Sequence, residues 1–130
     1  MLRFGIGLFL VLHGLAHAAA GMAAQDAPRG FGLALGPGAA VVLATALFAT
    51  ATPGFVAAGF GIWGVAGLEP RWRVFARSAS VASALLLVLF ARPLLETALG
   101  LTADAVALVL AGASIRGGAR ELTPSAGRSS

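Results

Sequence analysis

Residues 31–68 read FGLALGPGAAVVLATALFATATPGFVAAGFGIWGVAGL, 38 consecutive positions with no charged side chain. As one straight helix this stretch would reach ~57 Å, about twice the ~30 Å thickness of bilayer hydrocarbon. Two spans hinged at Thr52-Pro53-Gly54, the first counted from Gly38, would be only about 14 residues each, too short to cross. The reading that fits is an interfacial or re-entrant segment through Gly36-Pro37-Gly38, then one long helix over about 39–68. Pro53 kinks that helix, because it lacks an N–H and its ring crowds the preceding turn. Thr50 or Thr52 is placed to satisfy the carbonyl so released.

A second charge-free run lies upstream, between Arg3 and Asp26. Its apolar part, about residues 4–24, is long enough for one span and stops at the polar turn Gln25-Asp26-Ala27-Pro28-Arg29-Gly30. Met1-Leu2-Arg3 with Ala18-x-Ala20 also has the outline of a secretory signal peptide. The two His and the glycines at 5, 7, 14 and 21 favour a retained helix.

Downstream, Glu69-Pro70-Arg71-Trp72-Arg73 is a basic connector, and a third helix is expected over about 72–91. Ser78, Ser80 and Ser83 on or near one of its faces suit a helix–helix contact. The last helix has two candidate starts. Pro93 suits a first turn with Glu96 close behind, which gives a helix over about 93–115. Alternatively Gly100 breaks the run, and Thr102 caps a shorter helix with Asp104 in its first turn. Residues 116–130, rich in Gly, Ser and Arg, read as a disordered cytoplasmic tail. The expected fold is all-α: residues 1–115 form an integral membrane bundle of four transmembrane helices, the second long and kinked.

Composition agrees. Hydrophobic residues make up 58% of the chain and charged residues 11%, against about a quarter charged in soluble domains. The nine cations are all Arg, a habit of GC-rich bacterial genomes together with abundant Ala and Gly, and there is no Cys. Thiolate metal sites and disulfides are therefore excluded. The Arg residues sit at the ends of apolar segments, which speaks for headgroup anchoring and against nucleic acid. With four spans, Arg3, Arg71, Arg73, Arg77, Arg116, Arg120 and Arg128 fall on one side, and Arg29 and Arg92 on the other. Both termini are accordingly expected in the cytoplasm, with the chain in the cytoplasmic membrane. Trp63 and Trp72 then anchor the cytoplasmic interface.

His13 and His17 are one helical turn apart and share a face of the first helix. Gly7, Gly14 and Gly21 form a small-residue stripe beside them, and Gly54, Ala58 and Gly61 form another on the second helix. Such stripes let helices approach closely, so the His pair is expected to face the bundle interior. Asp26, Glu96 and Asp104 lie on the outer side under this topology. The candidate polar or ligand site is therefore His13, His17, Glu96 and Asp104. Together they would hold a divalent metal, relay protons or hydrogen-bond a quinone headgroup. Two His on one helix face do not supply both axial ligands of one haem. The competing reading is structural: the imidazoles make inter-helix hydrogen bonds, and Glu96 and Asp104 complement a helix N-terminus. The His spacing alone is a weak metal signal, and no resident cofactor is expected.

The opening run, residues 3–17, carries Arg3, Gly5, Gly7 and then His13-Gly14-x-x-His17, closing on Gly21. It resembles the first helix of small four-helix bacterial membrane proteins, uncharacterised, with His-Gly-x-x-His at this place. Trp72-Arg73, Ser80 or Ser83, and Gly100 with Asp104 extend that resemblance along about 110 residues. More distantly it is similar to the DoxX-like family, which has Lys where this chain has His17. The first resemblance implies the architecture and no activity. The second implies an accessory role near quinone-dependent sulfur or redox chemistry.

The expectation is a small multi-pass membrane protein, not an enzyme by itself, serving as a subunit or scaffold of a membrane assembly or as a homo-oligomer. The alternatives are a quinone-, redox- or proton-linked subunit using His13 and His17, and a small carrier with Pro53 lining its path.

Overall fold

Gly36 and Pro37 start the longest helix for opposite backbone reasons. Gly36 precedes it at φ 77°, a left-handed value that glycine tolerates, and Pro37 occupies the first turn, where its missing N–H costs nothing. In the computed structural model, which describes residues 1–23, 34, 36–90 and 94–118, this helix is α2, Pro37–Ile62. It follows α1, Leu2–Ala23, and precedes a short 3-10 turn at Glu69–Arg71, then α3, Trp72–Leu89, and α4, Leu94–Gly118. No strand occurs among the described residues.

Three boundaries differ from expectation. Gly36-Pro37-Gly38 is the cap and first turn of α2, not a re-entrant segment. The helix also stops at Ile62 instead of reaching Leu68. Gly64 adopts φ 88° just beyond the end, the Gly64 N–H bonds the Gly61 carbonyl at 3.0 Å, and the Val65 N–H bonds the Phe60 carbonyl at 3.1 Å. That bond pair with a left-handed glycine is the Schellman stop. Gly67, at φ 82°, turns the chain again before the 3-10 turn. The third difference is the end of α4, whose helix runs through Arg116 to Gly118, where a tail was expected. The remainder of that tail, the turn at 25–30 and Pro93 lie outside the described residues.

Helix α4 begins at Leu94 and passes unbroken through Gly100 and Thr102. Thr102 does not cap a helix start; its hydroxyl donates to the Ala98 carbonyl inside the helix. Pro53 lies within α2. Thr50 donates to the Ala46 carbonyl at 2.8 Å, not to the Ala49 carbonyl that Pro53 leaves without a donor.

The helices pack in chain order, α1 on α2, α2 on α3 and α3 on α4. Glycine makes the approaches short. A side chain at Gly59 would run into the Gly7 carbonyl and Val11, and one at Gly14 into the Thr52 carbonyl and Phe55. Gly54 lies against Ala79, and Gly7 lies under the Trp63 indole. Trp63 also donates to the Phe4 carbonyl at 3.3 Å and stacks on the Phe4 ring, which ties the start of α1 to the end of α2.

The interior is built mainly from small side chains: Ala51, Ala58, Ala76, Ala79, Ala107 and Ala111 are buried, with Leu10, Phe55, Ile62 and Leu87 the large residues among them. Larger apolar residues such as Leu12, Leu15, Val42, Val88, Leu99 and Val109 face outward. Water would penalise that distribution, whereas lipid tails solvate Leu and Val as well as a protein core does. Segments Gly38–Ile62, Glu69–Leu89 and Leu94–Ala113 are long and apolar enough to cross a membrane, and the described apolar part of α1, Leu2–Ala18, is shorter. This is the build of a membrane protein.

Candidate functional site: a buried His–Asp–Ser–His network

Three helices deliver polar side chains to one level. His13 lies 11 residues after the start of α1, Ser83 11 after the start of α3, and Asp104 10 after the start of α4. At ~1.5 Å per residue each is ~15–17 Å along its helix, near the middle of the bundle. His17, one turn beyond His13, completes the group.

The side chains form one chain of hydrogen bonds. His13 Nε2 and Asp104 Oδ1 are 3.0 Å apart. The Ser83 hydroxyl donates to Asp104 Oδ2 at 2.7 Å, and Ser83 Oγ and His17 Nε2 are 2.8 Å apart. A hydroxyl has one proton. With that proton directed at Asp104, Ser83 accepts from His17, so Nε2 of His17 carries a hydrogen. An ionised Asp104 only accepts, and His13 Nε2 then donates to it. Both carboxylate oxygens are thereby used, as burial of a charged group requires. The relative exposures are 0% for Ser83, 2% for Asp104 and 7% for His17.

Aromatic rings fix the imidazole planes. Phe55, fully buried on α2, meets His13 edge-on at 4.6 Å between centroids and lies parallel to His17 at 6.0 Å. Phe9 also stacks on His13, at 5.9 Å between centroids. The imidazoles are themselves edge-to-face at 4.9 Å. One ligand atom from each of His13, His17 and Asp104 falls in a group within 4.8 Å of one another.

No family model, curated protein or solved structure matches this chain.

His13 and His17 thus face inward, and Asp104 meets them. Asp104 occupies the third turn of α4 at mid-depth, which removes the reading of it as an acid at a helix N-terminus. Glu96 has that role: it is exposed, in the first turn of α4, and the structure does not bring it to the His pair. Asp26 lies outside the described residues. Gly7 and Gly14 serve the α1–α2 contact; the surroundings of Gly21 lie outside what is described.

Sequence reading missed two members. Ser83 was grouped with Ser78 and Ser80 as a packing serine, yet Ser78 bonds the Phe75 carbonyl of its own helix. The Ser80 hydroxyl, fully buried, has no partner among the described residues. Depth was the available signal, since Ser83 and His13 stand equally far from their helix starts. Nothing in the sequence marked Phe55 as the wall of the site. A cavity of about 430 Å³ lies elsewhere, at the end of the bundle near Arg3, Ile6, Glu69, Trp72, Arg73 and Leu110.

Proposed function

We propose that this chain is a four-span subunit or scaffold of a bacterial cytoplasmic-membrane assembly, not an enzyme by itself, with both termini in the cytoplasm. In this reading α1 is the fourth span and α2 bends at Pro53. The His13–Asp104–Ser83–His17 network latches the first helix to the last two. The observation that carries it is the continuity of that network: three hydrogen bonds join His13, Asp104, Ser83 and His17 across α1, α3 and α4. Polar bonds of this kind hold helices together where lipid removes the hydrophobic drive. The outward Leu and Val side chains give the bundle a surface for lipid, a second copy or a larger partner.

Purification from native membranes in a mild detergent, with cross-linking before extraction, tests the reading. A defined partner or homo-oligomer is expected to co-purify. A monodisperse monomer cross-linked to nothing would sink it. A reporter fused after Arg77 should read cytoplasmic, and a periplasmic signal there overturns the orientation.

A second reading draws on the same atoms. Ionisable groups held at mid-membrane commonly carry protons, ions or redox partners, and a quinone- or proton-linked subunit would use His13 and His17. It gains the upper hand if His13→Ala and His17→Ala abolish a quinone-dependent membrane activity while the assembly stays intact.

A further inference from the structure

We infer that His13, His17 and Asp104 form a binding site for a divalent first-row transition metal, of the zinc or iron(II) class, with the Ser83 hydroxyl at its fourth side. The inference deepens the reading of the network as the centre of the bundle and rests on that network being formed as described.

Donor chemistry comes first. Two imidazoles and one carboxylate are the set that holds catalytic zinc and non-haem iron(II). Calcium and magnesium want six or more oxygens and are poorly served by a site whose only charged oxygen ligand is Asp104. The pair His13-x-x-x-His17 presents both rings on one helix face, the spacing that chelates zinc from a helix.

Geometry comes second. Metal–donor bonds of ~2.0–2.1 Å in a tetrahedron place the donors ~3.3–3.5 Å apart. His13 Nε2 and Asp104 Oδ1 are already at 3.0 Å. His17 Nε2 is joined to Asp104 Oδ2 through Ser83 Oγ, by steps of 2.8 and 2.7 Å. One donor atom from each of the three ligands lies within 4.8 Å of the others. A gap of 4.8 Å must close by about 1.4 Å to match a tetrahedral edge, which is within the reach of side-chain rotation. Ser83 stands between His17 and Asp104, where a fourth, neutral oxygen ligand belongs.

The surroundings point the same way. Helix α1 is packed on α2, and α4 on α3, so the network gathers its ligands from both pairs of helices. Phe55 and Phe9 hold the His13 plane. The ligands are therefore ordered before a metal arrives, and little entropy is lost on binding. Each imidazole binds metal through an unprotonated Nε2. Its proton moves to Nδ1, a change of tautomer that releases none.

The test uses the full chain in lipid nanodiscs, purified without a polyhistidine tag and stripped with chelator. Cobalt(II) is titrated with visible absorption as the readout, and zinc(II) is then added in competition. The expected result is one equivalent of cobalt(II) per chain, with ligand-field bands of a four- or five-coordinate site that zinc(II) abolishes. His17→Gln and Asp104→Asn keep hydrogen-bonding side chains and should weaken binding by more than about tenfold, with helix content unchanged by circular dichroism. No ligand-field band in the wild-type chain overturns the inference. So does a site that binds equally well in both folded variants, because the ion then sits elsewhere. Failure here is separable from failure of the scaffold reading, which cross-linking of metal-free protein measures. A chain that binds no metal yet keeps its partner ends only the metal site, and one that binds metal as a lone monomer ends only the scaffold.

Discussion

Helix α1 is held on two sides by different means. Toward α2 it offers glycine: Gly7 and Gly14 let the Trp63 indole and the Thr52 carbonyl come close, and Gly59 answers from the other helix. Toward α3 and α4 it offers imidazole, through His13 to Asp104 and His17 to Ser83. The first contact works by dispersion between closely spaced backbones, many weak terms that need only small residues. The second works through a few directional bonds that need particular atoms at particular depths. A bundle held together entirely by glycine contacts would need no ionisable groups. Their presence on one side of α1 marks where directional bonds take over from close packing.

The comparison breaks most sharply at Asp104. Asp104→Ala removes the acceptor of both His13 and Ser83 in a region without water to replace it. A loss of about 2–6 kcal/mol is expected, about 1–3 kcal/mol for each of the two buried donors left without an acceptor, read as unfolding free energy in bicelles under a denaturing detergent. Asp104→Asn should lose less, since it still accepts one bond. A variant more stable than wild type would mean that the network is maintained against stability, and the latch reading would fall.

The glycine side breaks next. An added methyl at Gly59 meets the Gly7 carbonyl at 2.7 Å and Val11 at 2.6 Å, so Gly59→Ala forces α1 and α2 apart. Overpacking of this kind costs about 1–3 kcal/mol. Gly5 is the control, because nothing lies within 4 Å of a side chain there. Gly5→Ala should be neutral or slightly stabilising through its better helix propensity. Equal losses at the two positions in the same assay would show that close approach at Gly59 is not what holds the pair.

Legibility in the sequence follows the same division. Absence of charge over 31–68 and after Arg3 announces a membrane solvent, and α3 starts at Trp72 as its connector implies. The inward aim of His13 and His17 was readable from the glycine stripe beside them. The end of α2 was not read, because Val65, Ala66 and Leu68 continue the apolar run and hydropathy cannot see a left-handed Gly64. The role of Asp104 hung on where α4 begins. A start at Thr102 makes it a helix-end acid, whereas the observed start at Leu94 carries it to mid-depth. Ser83 stayed hidden for a related reason: composition treats three serines on α3 alike, and only the depths of α1 and α4 distinguish one.

Two of those serines give the finest test. Ser83 and Ser80 are both fully buried on α3, three residues apart. Ser83 donates a hydrogen bond to Asp104 and accepts one from His17, whereas the Ser80 hydroxyl has no partner among the described residues. Ser83→Ala therefore removes the bonds to His17 Nε2 and Asp104 Oδ2, and should cost about 0.6–1.7 kcal/mol, from the average to the maximum for a hydrogen bond between membrane helices. Ser80→Ala removes a buried hydroxyl that makes no bond, so its effect should lie near zero or be stabilising. Measured side by side under one denaturing detergent, the two substitutions delete the same atoms at nearly the same depth. Their difference isolates the network from burial and packing. If Ser80→Ala costs as much as Ser83→Ala, the hydroxyl at 83 is ordinary packing and its bonds to His17 and Asp104 add nothing to the latch.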